Sequence, residues 1–374
     1  MFSPNEAATL ARDVYELTEG DKFAAQRFIN NPIFSKNRFI PEGKLEMGSL
    51  SQTTPFGLFT RGAGNIYGNH LIVIFRGTSN ITSGIGDWLT NLNIGCSISS
   101  TGHYVHAGFN SMFNSMVGQL ESFVRSQKGI DTVHCIGHSL GGALATLAAD
   151  WFKSNTQIKP ILYTFGAPRV GHYEFATAHT VSMLPENINR VVHGTDVVPM
   201  IPLFPFFHAP TSGLPCYIAT GNQIGGEWHG MRHYVTTVSS HRSWKTLRQP
   251  APLILYPQIK YWLKEDKVVN FNGVDFWNKL YYSFIYLCNR IIGNPINSLV
   301  SSAATALDVM ASIIHKGLNS GGEASEDASL LIKKLAKALG MTVVETSVQF
   351  IRNALEKLMQ RMSIMVKEAL DRNR

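Results

Sequence analysis

Short apolar runs alternate with longer stretches of helical period over the first two-thirds of the chain. His70–Phe75 (HLIVIF), the run around Val133, Cys135 and Ile136, Ile161–Phe165 (ILYTF) and Arg190–His193 (RVVH) read as buried strands. A strand covered on both faces loses the apolar–polar alternation and shows as a short continuous apolar run. Helical stretches between them imply a mostly parallel sheet covered by helices, an α/β architecture. At the start, Ser3-Pro4-Asn5-Glu6 has the pattern of a capping box with proline in the first turn, predicting a helix to about Leu17. Ala8, Ala11, Val14 and Tyr15 form its apolar face. Residues 31–65, rich in Pro, Gly, Ser and Asn, predict turns and an edge hairpin.

Beyond about Pro250 the pattern is helical. Trp277, Leu280, Tyr281, Phe284, Cys288, Ile291 and Ile292 share one face, interrupted near Gly293-Asn294-Pro295. Ile296–Ile314 is mildly apolar, but its serines, Asn297, Thr305 and Asp308 make it a poor membrane span. Gly317–Asp327 (GLNSGGEASED) reads as a flexible hinge. Val344, Val348, Ile351, Leu355, Leu358, Met362, Met365 and Ala369 alternate four and three apart, a heptad seam. The expected division is therefore an α/β domain over 1–250 and a helical region over 255–374. That region reads as a cap on the domain, with a partner-binding coiled coil or a membrane-surface helix as alternatives. Arg352, Lys357, Arg361, Lys367 and Arg372 motivate the membrane alternative.

Candidate chemistry concentrates at Gly137-His138-Ser139-Leu140-Gly141, between a strand run and a helix of alanines and leucines. A G-x-S-x-G turn in that setting strains the serine backbone and leaves room only for glycine on either side. Ser139 is the candidate nucleophile, presented at a helix N-terminus that favours developing negative charge. In chain order the acid follows, and Asp196 suits it because it directly follows a strand. Asp131 and Asp150 are poorly placed. His229, His233 and His241 all lie downstream as candidate bases. Thr78, after the strand His70–Phe75, can offer a backbone N–H and a hydroxyl to an oxyanion. Ile85, Trp88, Leu89 and Leu92 fall at helical spacing between glycines, the pattern of a lid. Residues 199–210 (PMIPLFPFFHAP) are too proline-rich for a helix, and Phe204, Phe206 and Phe207 there are acyl-binding candidates.

Composition narrows this only slightly. The 374 residues carry a net charge of +7, which suits an anionic surface without requiring one. Four cysteines without a C-x-x-C pair argue against a zinc module or a disulfide scaffold. His229 and His233 stand four apart, but Gly230 follows His229 where H-E-x-x-H needs glutamate, so no metal or other cofactor is expected. The first residues lack a basic segment followed by an apolar one, so the expectation is no cleaved signal peptide. A cytoplasmic location or non-classical export would follow.

The chain resembles the fungal-type (class 3) triacylglycerol lipase family of α/β hydrolases. The resemblance rests on FRGT (Phe75–Thr78), DWLTNLN (Asp87–Asn93), VHAGF (Val105–Phe109) and GHSLGGALA (Gly137–Ala145). FGAPRVG (Phe165–Gly171), RVVHGTDVVPMIP (Arg190–Pro202) and HGMRHY (His229–Tyr234) continue it. It implies an α/β-hydrolase fold with Ser139 as nucleophile and Asp196 as acid. It also implies Thr78 and the backbone N–H of Leu140 as oxyanion donors. Among the three histidines it points to His229, since Met231 and Tyr234 follow it as in the family pattern. The implied activity is hydrolysis of lipid esters, of the acylglycerol lipase or phospholipase A type, at a membrane or micelle surface. The alternatives are a phospholipase toxin delivered without a cleaved signal peptide and a partner-binding protein on an inactive hydrolase fold. No nucleic acid is expected as partner, while a protein partner or self-association could use the C-terminal helices.

Overall fold

The apolar runs form the middle of one sheet. In this computed structural model, residues 1–47, 50–77, 95–267, 269–292, 305–343 and 345–371 are described. In chain order the strands are β1 (Phe34–Phe39), β2 (Glu42–Met47), β3 (Leu50–Pro55), β4 (Gly57–Gly62) and β5 (His70–Phe75). They continue with β6 (Cys96–Ile98), β7 (Tyr104–His106), β8 (Thr132–His138), β9 (Lys159–Phe165), β10 (Ile188–His193) and β11 (Cys216–Ile218). Seven pair in the order β1-β4-β5-β8-β9-β10-β11. β5, β8, β9, β10 and β11 run parallel, while β4 and β1 join antiparallel at one edge. The segment expected to hold turns and a hairpin therefore also supplies two strands of the main sheet, and β2 and β3 form the hairpin.

Both faces of the central strands are covered. In β5, Leu71, Val73 and Phe75 enter one core cluster, whereas Ile72 and Ile74 enter another on the opposite face. This period of two explains why Leu71 to Phe75 include no polar position. Helices α1 (Pro4–Asp13), α2 (Lys22–Ile29), α3 (Ala107–Arg125), α4 (Leu140–Asn155), α5 (Tyr173–Met183) and α6 (Met231–Ser239) surround the sheet. The expected capping box opens α1: Glu6 N–H donates to Ser3 Oγ at 3.3 Å and Ser3 N–H to Glu6 Oε2 at 2.8 Å. Small residues bring α4 close to the strands. A Cβ at Gly142 would lie 2.5 Å from the Cβ of Ala167.

The C-terminal helices are α7 (Tyr256–Lys264), α8 (Val274–Ile292), α9 (Ala306–Leu318), α10 (Gly322–Ala338) and α11 (Val348–Asp371). Their apolar faces merge with the cluster that holds Val73, Val133 and Leu162, so the hydrophobic core runs continuously from sheet to tail. The Phe204–Phe207 loop is the joint. Tyr281 Oη donates to the Phe206 carbonyl at 2.8 Å, and the Phe204 and Phe284 rings stack at 6.2 Å. The Arg169 guanidinium sits 3.9 Å above the Tyr281 ring. Phe204 and Phe206, two of the acyl-binding candidates, are fully buried and pack beneath α8. Phe207, partly buried, lines a small cavity beside Arg190.

Two further expectations change. The hinge over Gly317–Asp327 shrinks to a tight turn, since α9 runs to Leu318 and α10 starts at Gly322, with Gly321 and Gly322 at positive φ. Ala324, Ser325 and Asp327 all join α10, where burial of Ala328 and Leu331 outweighs the loop-like composition. The heptad seam packs as one broad face of a globular helix. Ile351, Leu355, Leu358, Met362 and Val366 are buried, as are Ala354 and Met359, whereas Val348 is exposed. A straight helix drifts away from a 3.5-residue repeat, and this face drifts from Met365 to Val366. Val344 lies outside the described residues. Among those residues no helix is long and apolar enough to cross a membrane.

Candidate active site

Ser139 occupies the turn between β8 and α4 with φ 56° and ψ −129°, a conformation that costs about 1–3 kcal/mol for a residue with a side chain. Its neighbours hold it there. Ser139 N–H donates to the Phe165 carbonyl at 3.0 Å. A Cβ on Gly137 would lie 2.0 Å from the Gly141 carbonyl oxygen, and one on Gly141 would lie 2.3 Å from that of Phe75. Both glycines are therefore required by backbone approach.

Asp196 follows β10, and His229 ends a short turn (Gly226–His229) that leads into α6. The fold brings these distant segments together at Ser139. His229 Nε2 lies 3.0 Å from Ser139 Oγ, and His229 Nδ1 lies 2.9 Å from Asp196 Oδ2. Nδ1–H donates to the carboxylate, which leaves Nε2 as the acceptor facing the serine hydroxyl. Asp196 also accepts from Tyr234 Oη at 2.7 Å and from Val198 N–H at 3.0 Å. Burial pushes the Asp196 carboxyl up, but its interaction with His229 and these hydrogen bonds outweigh it and hold it below the usual range. Ser139, Asp196 and His229 are all buried. The other candidate bases lie elsewhere: His233 packs against Trp228, and His241 Nδ1 lies 3.1 Å from Thr246 Oγ1. Asp150 accepts from Thr101 Oγ1 at 2.7 Å.

Leu140 is the first residue of α4, so its N–H has no acceptor within the helix. Thr78 lies outside the described residues, as do the lid candidates Ile85, Trp88, Leu89 and Leu92. The chain leading into Thr78 is described. Arg76 donates from Nε to the Pro55 carbonyl at 2.7 Å and from Nη1 to the Gly77 carbonyl at 2.8 Å.

A second layer of hydrogen bonds ties this segment to the triad. Gly77 N–H donates to Tyr15 Oη at 3.0 Å, and Tyr15 Oη lies 2.8 Å from His138 Nδ1. His138 Nε2 lies 2.8 Å from the His229 carbonyl. The carbonyl can only accept, so Nε2 carries the proton and Nδ1 accepts from Tyr15. Burial, with help from the neighbouring His229, lowers His138 to about 3, which keeps it neutral. Tyr15 lies 123 positions before His138, and as a residue on an amphipathic helix it had no sequence signal beyond packing. Tyr234 stood in the sequence only as part of HGMRHY. α11 packs against the turn that carries His229, so the tail reaches the edge of the site.

The sequence pattern of the family described as Lipase (class 3) matches residues 72–206, the span from β5 through the nucleophile turn and Asp196. Over that span, about a third of the chain, the protein is similar to class 3 lipases. A secreted mono- and diacylglycerol lipase 1 of Fusarium solani is 34% identical over 164 residues, covering 42% of this chain and 46% of that protein. The chloroplastic phospholipase A(1) DAD1 of Arabidopsis thaliana is 30% identical over 155 residues, 35% of this chain and 33% of that one. Toxin TseL of Vibrio cholerae is 37% identical over 105 residues, 27% of this chain and 15% of that protein. The chain thus spans about half, or less, of the length of these curated relatives. Among solved structures, lipase II from Rhizopus niveus has 24% identity and a TM-score of 0.42, covering 58% of this chain and 79% of that one. The class 3 lipase match ends at residue 206, before His229 and before the C-terminal helices.

Proposed function

We propose that the chain is a serine carboxylic-ester hydrolase acting on glycerolipid acyl esters. The hydrogen-bonded line Ser139–His229–Asp196 at a strained strand-to-helix turn carries this reading. Ser139 Oγ attacks the ester carbonyl carbon while His229 Nε2 takes its proton, and Asp196 stabilises the resulting imidazolium. The tetrahedral oxyanion is held by the Leu140 N–H and by Thr78, each donor being worth roughly 3 kcal/mol in such sites. Collapse returns the proton from His229 to the departing alcohol and leaves an acyl-serine. Water, activated by the same histidine, then releases the carboxylic acid. Relatives named as a mono- and diacylglycerol lipase and a phospholipase A(1) support glycerolipids as the substrate class.

Hydrolysis of a short-chain p-nitrophenyl ester tests the reaction, and product analysis on mixed lipid vesicles tests the substrate class. Ser139→Ala should lower kcat by about 10⁴-fold or more with the fold intact. A variant that keeps wild-type turnover would refute the assignment.

A further inference from the structure

The C-terminal helices contain a lysine-rich cleft far in sequence from the triad. It lies between α7 with the segment after it and α10, and has a volume of about 500 Å³. Apolar residues Leu263, Val269, Leu330 and Ala338 line it together with Lys264, Lys267, Lys333, Lys334 and Lys337. Against these five lysines stand two acids, Glu265 and Asp266. Each acid already has a lysine: Glu265 pairs with Lys267 and Asp266 with Lys337. Lys264, Lys333 and Lys334 form no ion pair with a carboxylate among the described residues.

Lys334 is the unusual member. It is only 9% exposed, its Nζ donates to the Glu265 carbonyl at 2.7 Å, and it sits 5.0 Å from the centre of the Trp262 ring. Burying an ammonium is costly; Glu265 and Asp266 offset part of that cost from nearby but are paired with Lys267 and Lys337, and the carbonyl and ring face offset only a further part. An anion entering the cleft would supply the missing charge.

We propose that this cleft binds the phosphate headgroup of an anionic phospholipid at a membrane surface. Its volume is that of a small-ligand site rather than of a track for an extended polymer. Lysine ammoniums suit phosphate as mobile point charges. Apolar side chains between the lysines suit the glycerol and the first methylenes of the lipid. The two arginines of α11 are less available for this role: Arg352 pairs with Asp308 and Glu356, and Arg361 lies over the Phe271 ring. Binding here does not depend on the catalytic reading, although it would hold a lipid hydrolase at its substrate.

The test uses the full chain with Ser139→Ala, so that vesicles stay intact, and measures partition onto phosphatidylcholine vesicles with and without phosphatidic acid. A lysine near an anionic surface contributes roughly fivefold in binding, so Lys264→Gln with Lys333→Gln should weaken partition about 25-fold on the acidic vesicles. The control pair Lys36→Gln with Lys128→Gln, exposed on the α/β domain, should change it less than about twofold. Leu330→Asp should weaken it as well, because it puts a negative charge among the lysines. Equal losses from the cleft and control pairs would mean diffuse surface attraction and overturn the site, as would no loss from the cleft pair. Thermal stabilisation by inorganic phosphate that the cleft pair abolishes, with vesicle partition unchanged, would assign the cleft to free phosphate and overturn the lipid source. With Ser139 restored, the cleft pair should hydrolyse a soluble ester at the wild-type rate; loss of that rate would make the lysines structural and overturn the assignment.

Discussion

Tyr15→Phe isolates one hydroxyl that links the turn after α1 (Val14–Leu17) to the catalytic centre. The ring and its packing remain, while Gly77 N–H loses its acceptor at 3.0 Å and His138 Nδ1 loses its donor at 2.8 Å. Gly77 and His138 are both buried, and an unsatisfied buried group costs about 1–3 kcal/mol. Two such groups beside a partly buried tyrosine give an expected destabilisation of about 2–4 kcal/mol, readable as a lower urea midpoint. The same bonds hold the chain entering Thr78 and, through His138, the backbone of His229. Turnover of a soluble ester should therefore fall about 10- to 100-fold, equivalent to roughly 1.4–2.8 kcal/mol, mainly in kcat. The double variant with His138→Phe should cost little more than the worse single variant, because both interrupt one chain of bonds. Unchanged kcat and an unchanged urea midpoint in Tyr15→Phe would refute the reasoning.

Tyr234→Phe removes the 2.7 Å hydrogen bond to Asp196 and should lower ester turnover about tenfold, whereas His233→Ala and His241→Ala should stay within about twofold. A large loss in either histidine variant would move the base away from His229. Burial lowers His106 to about 3, His134 to about 2, His138 to about 3 and His172 to about 4. The unfolded chain binds these protons near pH 6.5 and the folded chain does not, so stability is full above that pH and falls as pH drops toward 4. Each histidine contributes a slope of about 1.4 kcal/mol per pH unit, so an unfolding midpoint unchanged between pH 7 and pH 5 would contradict their buried neutral state. A 1–250 fragment exposes the partners of Tyr281 and Phe284, including Phe204 and Phe206, and should aggregate in size-exclusion and light-scattering measurements. A soluble, fully active fragment would show that the tail is dispensable to the core.

Local rules were enough for several features. Period and composition specify the apolar strands, because each is covered on both faces, and the glycines at 137 and 141 specify the nucleophile turn, because only they allow the backbone to approach. The capping box of α1 is equally local, satisfied by residues three apart. Asp196 was readable from its position after a strand. The base was legible only through the family resemblance, which pointed to His229; local rules leave His229, His233 and His241 equivalent within thirteen positions, and the 226–229 turn brings His229 to Ser139. Tyr15 and His138 have the same character, since a hydrogen bond between residues so far apart leaves no periodic trace in either segment. The tail shows both kinds of information. Its helices were legible from their spacing, but the number of residues on the apolar face of α11 depends on which neighbours surround it. That Phe204 and Phe206 pack against α8 was likewise decided by tertiary structure, because an exposed aromatic loop and a buried one share the same composition. Helical period encodes which side of a segment is apolar; only the tertiary structure supplies the surface that covers it.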